Sequence, residues 1–230
     1  MLGRIRDITQ GVPINEVYAS IQGEATWTGT PAWFVRTQGC PVGCPWCDTK
    51  YTWEIDLKKA VSPTTLDAKG GNDETFGLME PDVLLGILHQ RRGIKHVVLT
   101  GGEPAMWDLV PITRMLLSNG YRVQLETSGT FPIVAAPGIW ITCSPKIGMP
   151  GGRIVLAEVL AAADEIKYPI GKSSDMDKLL DQVMPYVRAS TPVWLQPISQ
   201  SKRATELCIY EASRRGMRIS VQVHKYLDLA

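Results

Sequence analysis

Three of the five cysteines in the chain, Cys40, Cys44 and Cys47, fall within eight residues. Their spacing is C-x3-C-x2-C, in a turn-forming segment that also holds two prolines and a glycine. A short loop of this kind turns three thiolates towards one centre, as an iron–sulfur cluster requires at three of its corners. A structural zinc ion takes four protein ligands, whereas the nearest histidines, His89 and His96, come about forty residues later. The spacing therefore favours a [4Fe–4S] cluster held by three cysteines.

A cluster with three protein ligands keeps one iron open to a small chelating molecule. S-adenosylmethionine, with its amino and carboxylate groups, is the ligand that makes such a cluster a radical generator. Zinc with a distant fourth ligand, such as Cys143, Cys208 or a histidine, stays an alternative. Both of those cysteines fall in predicted regular elements and are better explained as core residues. A disulfide framework fits poorly, because the number of cysteines is odd.

The cysteine loop, residues 40–49, resembles the signature of the radical S-adenosylmethionine superfamily, with the aromatic Trp46 immediately before the last cysteine. Further motifs, taken in their order along the chain, resemble the 7-carboxy-7-deazaguanine synthase family of that superfamily. They are Ser20-Ile21-Gln22-Gly23-Glu24, Phe34-Val35-Arg36, Cys47-Asp48-Thr49, Thr100-Gly101-Gly102-Glu103-Pro104, Glu126-Thr127-Ser128-Gly129-Thr130, Ser144-Pro145-Lys146 and His224-Lys225-Tyr226-Leu227. The match runs from about residue 13 to the last residue, interrupted mainly around 54–79.

The resemblance implies a lyase of the pathway to queuosine and other 7-deazapurines. A radical formed from S-adenosylmethionine removes the hydrogen at C6 of 6-carboxy-5,6,7,8-tetrahydropterin. The ring then contracts, ammonia leaves, and 7-carboxy-7-deazaguanine results. The implied cofactors are a [4Fe–4S] cluster, S-adenosylmethionine and Mg²⁺. The implied partners are an electron donor such as flavodoxin and a second copy of the chain in a homodimer.

The same resemblance assigns cofactor-binding residues. It implies that Cys40, Cys44 and Cys47 hold the cluster. It implies that S-adenosylmethionine contacts Trp46, Cys47, Asp48, Gly102, Glu103, Ser144, Pro145, Lys146, Gln196, Pro197, Ile198 and Ser199. For several of these, turn and capping chemistry at a strand end is a serious alternative.

Substrate and magnesium contacts also follow from the resemblance. The substrate-binding residues that it implies are Ile21, Gln22, Gly23, Glu24, Arg36, Thr100, Glu126, His224 and the terminal carboxylate of Ala230. Arg36 suits a carboxylate because its guanidinium forks onto two oxygens. Glu126 suits the guanidine-like edge of a pterin. Thr49 is expected to bind Mg²⁺ together with substrate oxygens, since a hard cation accepts few protein ligands and several others.

Composition limits the classes of partner. The chain has 230 residues, of which 24 are basic and 23 acidic, and this balance argues against direct nucleic-acid binding through phosphates. No apolar run approaches the ~18 residues of a membrane span. Free thiols and an oxygen-sensitive cluster favour the cytoplasm. We expect one domain, residues 1–230, with a polar insertion at about 54–79.

Alternating strands and helices must position these residues. Strands are predicted at 17–21, 32–37, 96–99, 122–125, 139–143, 165–167, 193–196 and 218–223. Helices are predicted from residue 81 and over 108–119, 154–163, 177–187 and 204–215. This alternation predicts an α/β fold with a parallel sheet, and about six parallel strands favour a partial (β/α) barrel.

Polar residues follow the predicted strands at their carboxyl ends. They are Thr100, Glu126, Ser144, Lys167, Gln196 and His224. In parallel (β/α) folds these ends meet on one face, where sites are built, so we expect one shared mouth. Other functions stay open at this stage: a radical activase of a glycyl-radical enzyme, a zinc-binding interaction module, and a simple electron-transfer iron–sulfur protein.

Overall fold

A computed structural model describes residues 11–69, 73–91, 93–198 and 201–227 of the chain. Nine strands form one sheet in the spatial order β3-β1-β2-β4-β5-β6-β7-β8-β9. The strands are β1 (Val12–Ile21), β2 (Pro31–Thr37), β3 (Gly77–Met79), β4 (His96–Gly101), β5 (Arg122–Thr127), β6 (Trp140–Cys143), β7 (Glu165–Ile170), β8 (Val193–Pro197) and β9 (Arg218–Ile219).

Strand β2 and strands β4 to β9 run parallel, whereas β1 and β3 pair antiparallel at one edge. The parallel part thus holds seven strands, close to the six that the sequence predicts. The linear order of the sheet agrees with a partial (β/α) barrel, and the predicted α/β fold class is confirmed.

Six α-helices are described: α1 (Pro81–Leu88), α2 (Val110–Ser118), α3 (Ala157–Ala162), α4 (Ser173–Lys178), α5 (Lys202–Arg215) and α6 (Val223–Tyr226). Single 3-10 segments cover Ala25–Trp27, Lys50–Thr52, Leu57–Lys59, Pro63–Ala68, His89–Arg91, Pro104–Met106 and Met184–Tyr186. None of the described helices has the length and apolarity that crossing a bilayer demands.

Helices α1 and α2 form where the sequence predicts them. Leu84, Ile87 and Leu88 share the buried face of α1, as their spacing requires. The Asp108 side chain accepts from the amide of Val110 at 2.9 Å and so satisfies an amide at the start of α2. These helices pack on β1, β2, β4 and β5, and a second apolar cluster fills the space between α3 to α5 and β6 to β8.

Several predicted boundaries are wrong. Strand β1 begins at Val12 instead of residue 17, and β7 ends at Ile170 instead of residue 167. The helix expected over 154–163 begins only at Ala157, because the amide of Leu156 donates to Gly129 O at 2.8 Å and Leu156 itself is extended. The strand expected over 218–223 ends at Ile219, after which the chain turns into α6.

The helix expected over 177–187 begins earlier than predicted, at Ser173. After α4 it continues as a π-helical turn, Leu179–Val183, and ends in a 3-10 turn that contains Pro185. Proline has no amide hydrogen for a regular helix, which accounts for the irregular end.

Part of the predicted insertion at 54–79 packs against the barrel. Leu66, Phe76 and Met79 are buried, and Met79 lies in β3, which extends the sheet. The ammonium of Lys69 donates to Asn15 Oδ1 at 2.9 Å and to Thr75 O at 2.8 Å. The described part of the segment is therefore tied to strand β1, and the single-domain assignment stays a prediction.

Candidate active site

A cavity of about 560 Å³ opens at the carboxyl ends of the parallel strands. All six polar residues that follow or end the predicted strands line this cavity: Thr100, Glu126, Ser144, Lys167, Gln196 and His224. The cysteine loop forms another part of its wall, so the barrel brings the thiols and the strand-end polar groups to one place.

Most of the predicted site residues lie around this cavity. They are Ile21, Gln22, Gly23, Glu24, Arg36, Cys40, Cys44, Trp46, Cys47, Asp48, Thr49, Thr100, Gly102, Glu103, Glu126, Ser144, Lys146, Gln196, Pro197, Ile198 and His224. Pro145 instead lines an adjacent cavity of about 520 Å³, which shares Trp46 and Ile198 with the first. Ser199 and Ala230 lie outside the described residues.

The cysteine loop is held by backbone hydrogen bonds rather than by regular structure. The amide of Cys47 donates to Cys44 O at 3.0 Å, and the amide of Cys40 donates to Trp53 O at 3.0 Å. Gly43 adopts a φ of +72°, a left-handed conformation that glycine takes without steric cost. The indole of Trp53 also donates to the sulfur of Cys47 at 3.4 Å.

The donor set of this loop fits an iron–sulfur cluster. All three cysteines are free, half-buried and turned to the same cavity. Burial raises the pKa of Cys40 to about 12 and also raises that of Cys44, and a bound iron would favour the thiolate form of both. Among the residues that the structure describes, no three His, Cys, Asp or Glu side chains form a group fit for a single metal ion.

The Gly101-Gly102-Glu103 turn packs directly beneath the cysteine loop. A Cβ atom on Gly102 would lie 2.3 Å from Gly39 O, and one on Gly101 would lie 2.3 Å from the amide nitrogen of Thr37. The amide of Glu103 donates to Gly39 O at 2.8 Å. The two glycines thus let β4 approach the chain that enters the loop.

The carboxylate of Glu103 is buried and already engaged. One oxygen accepts from Thr127 Oγ1 at 2.6 Å and from the amide of Ala105 at 3.0 Å. The other oxygen accepts from the amide of Ser128 at 2.7 Å and from its hydroxyl. This pattern matches the capping interpretation, and contact with a cofactor ammonium stays a prediction.

Lys146 stands on the same side of the cavity as Cys44. Its ammonium donates to Ser144 O at 2.9 Å and also contacts the Ser144 hydroxyl. Burial lowers the pKa of Lys146, which the nearby Cys44 partly opposes. The Ser144-Pro145-Lys146 turn therefore presents a cation beside the thiols.

A second wall of the cavity is a hydrogen-bonded set of charged and amide side chains, the carboxylate network: Gln22, Glu24, Glu126, Lys167, Gln196 and Gln222. The Lys167 ammonium pairs with Glu24 and lies 3.0 Å from Glu126 Oε2. The amide of Gln22 donates to Glu126 Oε1 at 3.0 Å and reaches Gln124 at 3.1 Å.

Glu24 is the most fully engaged member of the carboxylate network. Its Oε1 accepts from the amides of Gln222, at 2.8 Å, and Gln196, at 3.3 Å, while Oε2 accepts from Lys167. Burial alone would raise the pKa of Glu24, but the charge and hydrogen bond of Lys167 bring it down to about 2. The two carboxylates conversely raise the pKa of Lys167 against its burial.

Arg36 belongs to a third group of side chains, at the edge formed by β1 and β2. Its guanidinium pairs with Glu16 and donates to the hydroxyl of Tyr18 at 2.8 Å. The ring of Tyr18 stacks on that of Phe34, with centroids 5.3 Å apart. Arg36 therefore enters the cavity as an oriented cation beside an aromatic surface.

The end of the described chain closes one side of the cavity. The amide of Val223 donates to Gly23 O at 3.0 Å, and a Cβ atom on Gly23 would meet His224 Nδ1 at 2.5 Å. Lys225 forms an ion pair with Asp48 of the cysteine loop at 3.3 Å. Burial lowers the pKa of His224.

Several lining residues were missed by sequence reasoning. They are Tyr18, Phe34, Trp53, Gln222 and Lys225. Phe34 could have been found, since it lies two residues before Arg36 on β2 and so shares its face. Tyr18 pairs with Phe34 across β1 and β2 and follows from the same alternation once the pairing is known. Gln222 carries no such local signal.

Comparison with known proteins first defines the class. The family model described as the Radical SAM superfamily matches residues 34–138, which include the cysteine loop and the Gly101-Gly102-Glu103 turn. The 7-carboxy-7-deazaguanine synthase of Escherichia coli strain K12 is 45% identical over 95% of this chain and 99% of that protein. Its counterpart from Aquifex aeolicus is 34% identical over 98% of both.

A solved structure agrees with these relatives. The crystal structure of QueE from Escherichia coli matches with a TM-score of 0.88 and 44% identity, covering 93% of this chain and 94% of that one. The chain belongs to the 7-carboxy-7-deazaguanine synthase family. The expected family is therefore confirmed.

Proposed function

We propose that this chain converts 6-carboxy-5,6,7,8-tetrahydropterin to 7-carboxy-7-deazaguanine with loss of ammonia. It is a radical S-adenosylmethionine enzyme and a lyase, and its cofactors are a [4Fe–4S] cluster, S-adenosylmethionine and Mg²⁺. Its substrate is a small molecule. The single observation that carries the proposal is one cavity that joins three free thiols to a preformed carboxylate network.

In this proposal Cys40, Cys44 and Cys47 hold the cluster. When bound, the reduced cluster and S-adenosylmethionine together would supply the radical that removes a hydrogen atom from the substrate. Because the overall conversion loses only ammonia, one hydrogen atom must be returned to the rearranged substrate radical. The residues assigned to S-adenosylmethionine are Trp46, Cys47, Asp48, Gly102, Glu103, Ser144, Pro145, Lys146, Gln196, Pro197, Ile198 and Ser199. Close packing of Gly102 under the loop, and a buried cation at Lys146 for a carboxylate, support this assignment.

The proposed substrate contacts use the rest of the cavity: Ile21, Gln22, Gly23, Glu24, Arg36, Thr100, Glu126, His224 and the terminal carboxylate of Ala230. Glu126 accepts from the donor-rich edge of the pterin, and Arg36 donates to its carboxylate. The pairing of Arg36 with Glu16 and Tyr18 supports this role, because a guanidinium already oriented loses less entropy on binding.

Thr49 is the proposed protein ligand of Mg²⁺. Its hydroxyl lies 3.6 Å from the sulfur of Cys47, on the cavity side of the cysteine loop. A magnesium ion there would complete its shell with substrate and water oxygens and orient the substrate carboxylate.

The remaining proposals concern the setting of the enzyme. We infer a homodimer in the cytoplasm that receives its electron from a small redox protein such as flavodoxin. The family resemblance supports the first and last of these, and oxygen-sensitive thiols support the compartment. No direct nucleic-acid contact is proposed, since the formal net charge is only +1.

An anaerobic turnover assay tests the function. Reconstituted protein is incubated with the pterin, S-adenosylmethionine, Mg²⁺ and a reductant, and products are detected by mass. We expect a product lighter than the pterin by one ammonia. Formation of 5′-deoxyadenosine without any deazaguanine would contradict the ring contraction and favour an activase. Colourless protein that contains zinc would contradict the radical chemistry altogether.

A further inference from the structure

Lys167 occupies the centre of the carboxylate network and has no part in the contacts proposed so far. It lies on strand β7, and its side chain is only 7% exposed. It pairs with Glu24, from the turn after β1, and lies 3.0 Å from Glu126 at the end of β5. One ammonium thus joins two carboxylates from two separate elements.

The charges in this group do not balance without Lys167. Two carboxylates and one ammonium leave one net negative charge inside a largely buried wall. Without the ammonium, two like charges would share this wall with no counter-cation between them, and their repulsion would disturb the orientation of both carboxylates.

The two carboxylates differ in how fully their oxygens are used. Glu24 accepts from three side chains: Lys167, Gln196 and Gln222. Glu126 accepts from two side chains, one on each oxygen, and its side chain is 19% exposed towards the cavity. A carboxylate oxygen can accept more than one hydrogen bond, so Glu126 keeps capacity for a ligand.

We propose that Lys167 is a positioning residue, which holds Glu126 oriented as the acceptor for the donor-rich edge of the substrate, with Glu24 as its counter-anion. This inference rests on the proposed function and deepens it. Lys167 reaches the substrate through Glu126 rather than by contact. The amide and amino groups at one edge of the pterin would then meet carboxylate oxygens that are already fixed in place.

The same geometry argues against Lys167 as the acid that protonates the departing ammonia. An ammonium held between two carboxylates is stabilised in its charged form, so it gives up a proton poorly. A positioning role therefore predicts a defect in substrate binding and not in the cleavage of S-adenosylmethionine.

The test is Lys167→Met, which keeps the length of the side chain and removes its charge. We expect KM for the pterin to rise about tenfold or more, because losing a charged hydrogen-bond partner weakens binding by about that factor. Cluster absorbance and 5′-deoxyadenosine formation should stay at the wild-type level. Lys202→Met is the matched control, because Lys202 is 92% exposed in α5, outside the cavity.

Charge rescue separates positioning from mere packing. In the Lys167→Met background, Glu24→Gln removes the surplus carboxylate and should recover part of the lost kcat/KM, since Glu24 is itself among the proposed substrate contacts. Glu126→Gln in the same background should recover nothing. A double variant with Glu24→Gln that is no better than Lys167→Met alone would overturn the inference.

If Lys167→Met does not fold, two variants that retain Lys167, Glu126→Gln and Glu24→Gln, can be compared instead. With Lys167 present, Glu126→Gln should lower kcat/KM about tenfold more than Glu24→Gln does. Equal losses would overturn the inference. Wild-type protein that makes no deazaguanine would instead contradict the proposed function, so the two failures are distinguishable.

Discussion

Two walls of the cavity are prepared for ligands in opposite ways: the thiol wall, formed by Cys40, Cys44 and Cys47, and the carboxylate network. In the cysteine loop, burial raises the pKa of Cys40 and Cys44, and bound iron would stabilise the thiolate forms of these ligands. In the carboxylate network, Lys167 holds Glu24 charged against its burial, and folding alone completes the pairing. One wall thus receives its chemistry from a cofactor, whereas the other is preorganised by the chain itself.

The difference separates two tasks of a radical enzyme. The cofactor supplies the difficult hydrogen abstraction, so the thiol wall needs only the correct spacing and an open fourth position. Orientation of the substrate depends on fixed acceptors and donors, which must be in place before binding. Substitutions in the thiol wall and in the carboxylate network should therefore have different effects on the yields of 5′-deoxyadenosine and deazaguanine.

The largest effect should follow from Cys44→Ala in the thiol wall. Loss of one of three protein ligands should abolish the cluster absorbance and reduce both 5′-deoxyadenosine and deazaguanine to background. Iron analysis and the anaerobic turnover assay measure these effects. Cys208→Ala is the control, since Cys208 is buried in α5 away from the cavity. Full activity in Cys44→Ala would disprove the ligand assignment.

A smaller loss should follow from Glu126→Gln in the carboxylate network. We expect kcat/KM for the pterin to fall about 10- to 100-fold, because a charged acceptor is replaced by a neutral amide. The yield of 5′-deoxyadenosine should change little. Glu211→Gln controls for loss of a paired carboxylate, because Glu211 bonds Arg215 within α5. An unchanged kcat/KM would remove Glu126 from the substrate contacts.

Thr49→Ala tests the proposal that Thr49, in the cysteine loop, is the protein ligand of Mg²⁺. The Mg²⁺ concentration that gives half-maximal activity should rise about tenfold, since one protein ligand of the ion is lost. A titration with Mg²⁺ at fixed pterin concentration measures this shift. Thr64→Ala serves as the control, because Thr64 is an exposed residue of the 3-10 segment Pro63–Ala68. An identical Mg²⁺ dependence in both variants would contradict the assignment.

The smallest effects concern the backbone beneath the cysteine loop. Gly102→Ala should lower the free energy of unfolding by about 1–3 kcal/mol, because its Cβ would lie 2.3 Å from Gly39 O. Gly86→Ala in α1 meets nothing within 4 Å and should raise it by about 0.5–1 kcal/mol. Urea unfolding of both variants measures these changes. A neutral Gly102→Ala would show that the close approach is not required.

The sequence predicted the thiol wall better than the carboxylate network. Cys40, Cys44 and Cys47 are neighbours in the chain, so their spacing alone expresses the chemistry. Placement of Glu126 in the cavity followed from the convergence of parallel strand ends. The pairing of Lys167 with Glu24 joins residues 143 positions apart, and no local pattern reports such a contact.

Predictions of helix and strand boundaries failed where tertiary contacts overrode the local sequence preference. A helix is predicted over 154–163, but the amide of Leu156 bonds Gly129 O and Leu156 is extended, so the helix begins only at Ala157. Val223 was expected in a strand, yet its bond to Gly23 turns the chain towards the cavity and brings His224 with it. In both places a distant backbone partner, absent from any sequence window, decided the structure.

The difference between the walls is tested most directly by one ratio, that of deazaguanine to 5′-deoxyadenosine, measured in the same anaerobic reaction for wild type, Cys44→Ala and Glu126→Gln. We predict that Cys44→Ala loses both products, whereas Glu126→Gln keeps 5′-deoxyadenosine and loses most of the deazaguanine. Equal loss of both products in the two variants would contradict the proposal that the thiol wall serves the cofactor and the carboxylate network serves the substrate.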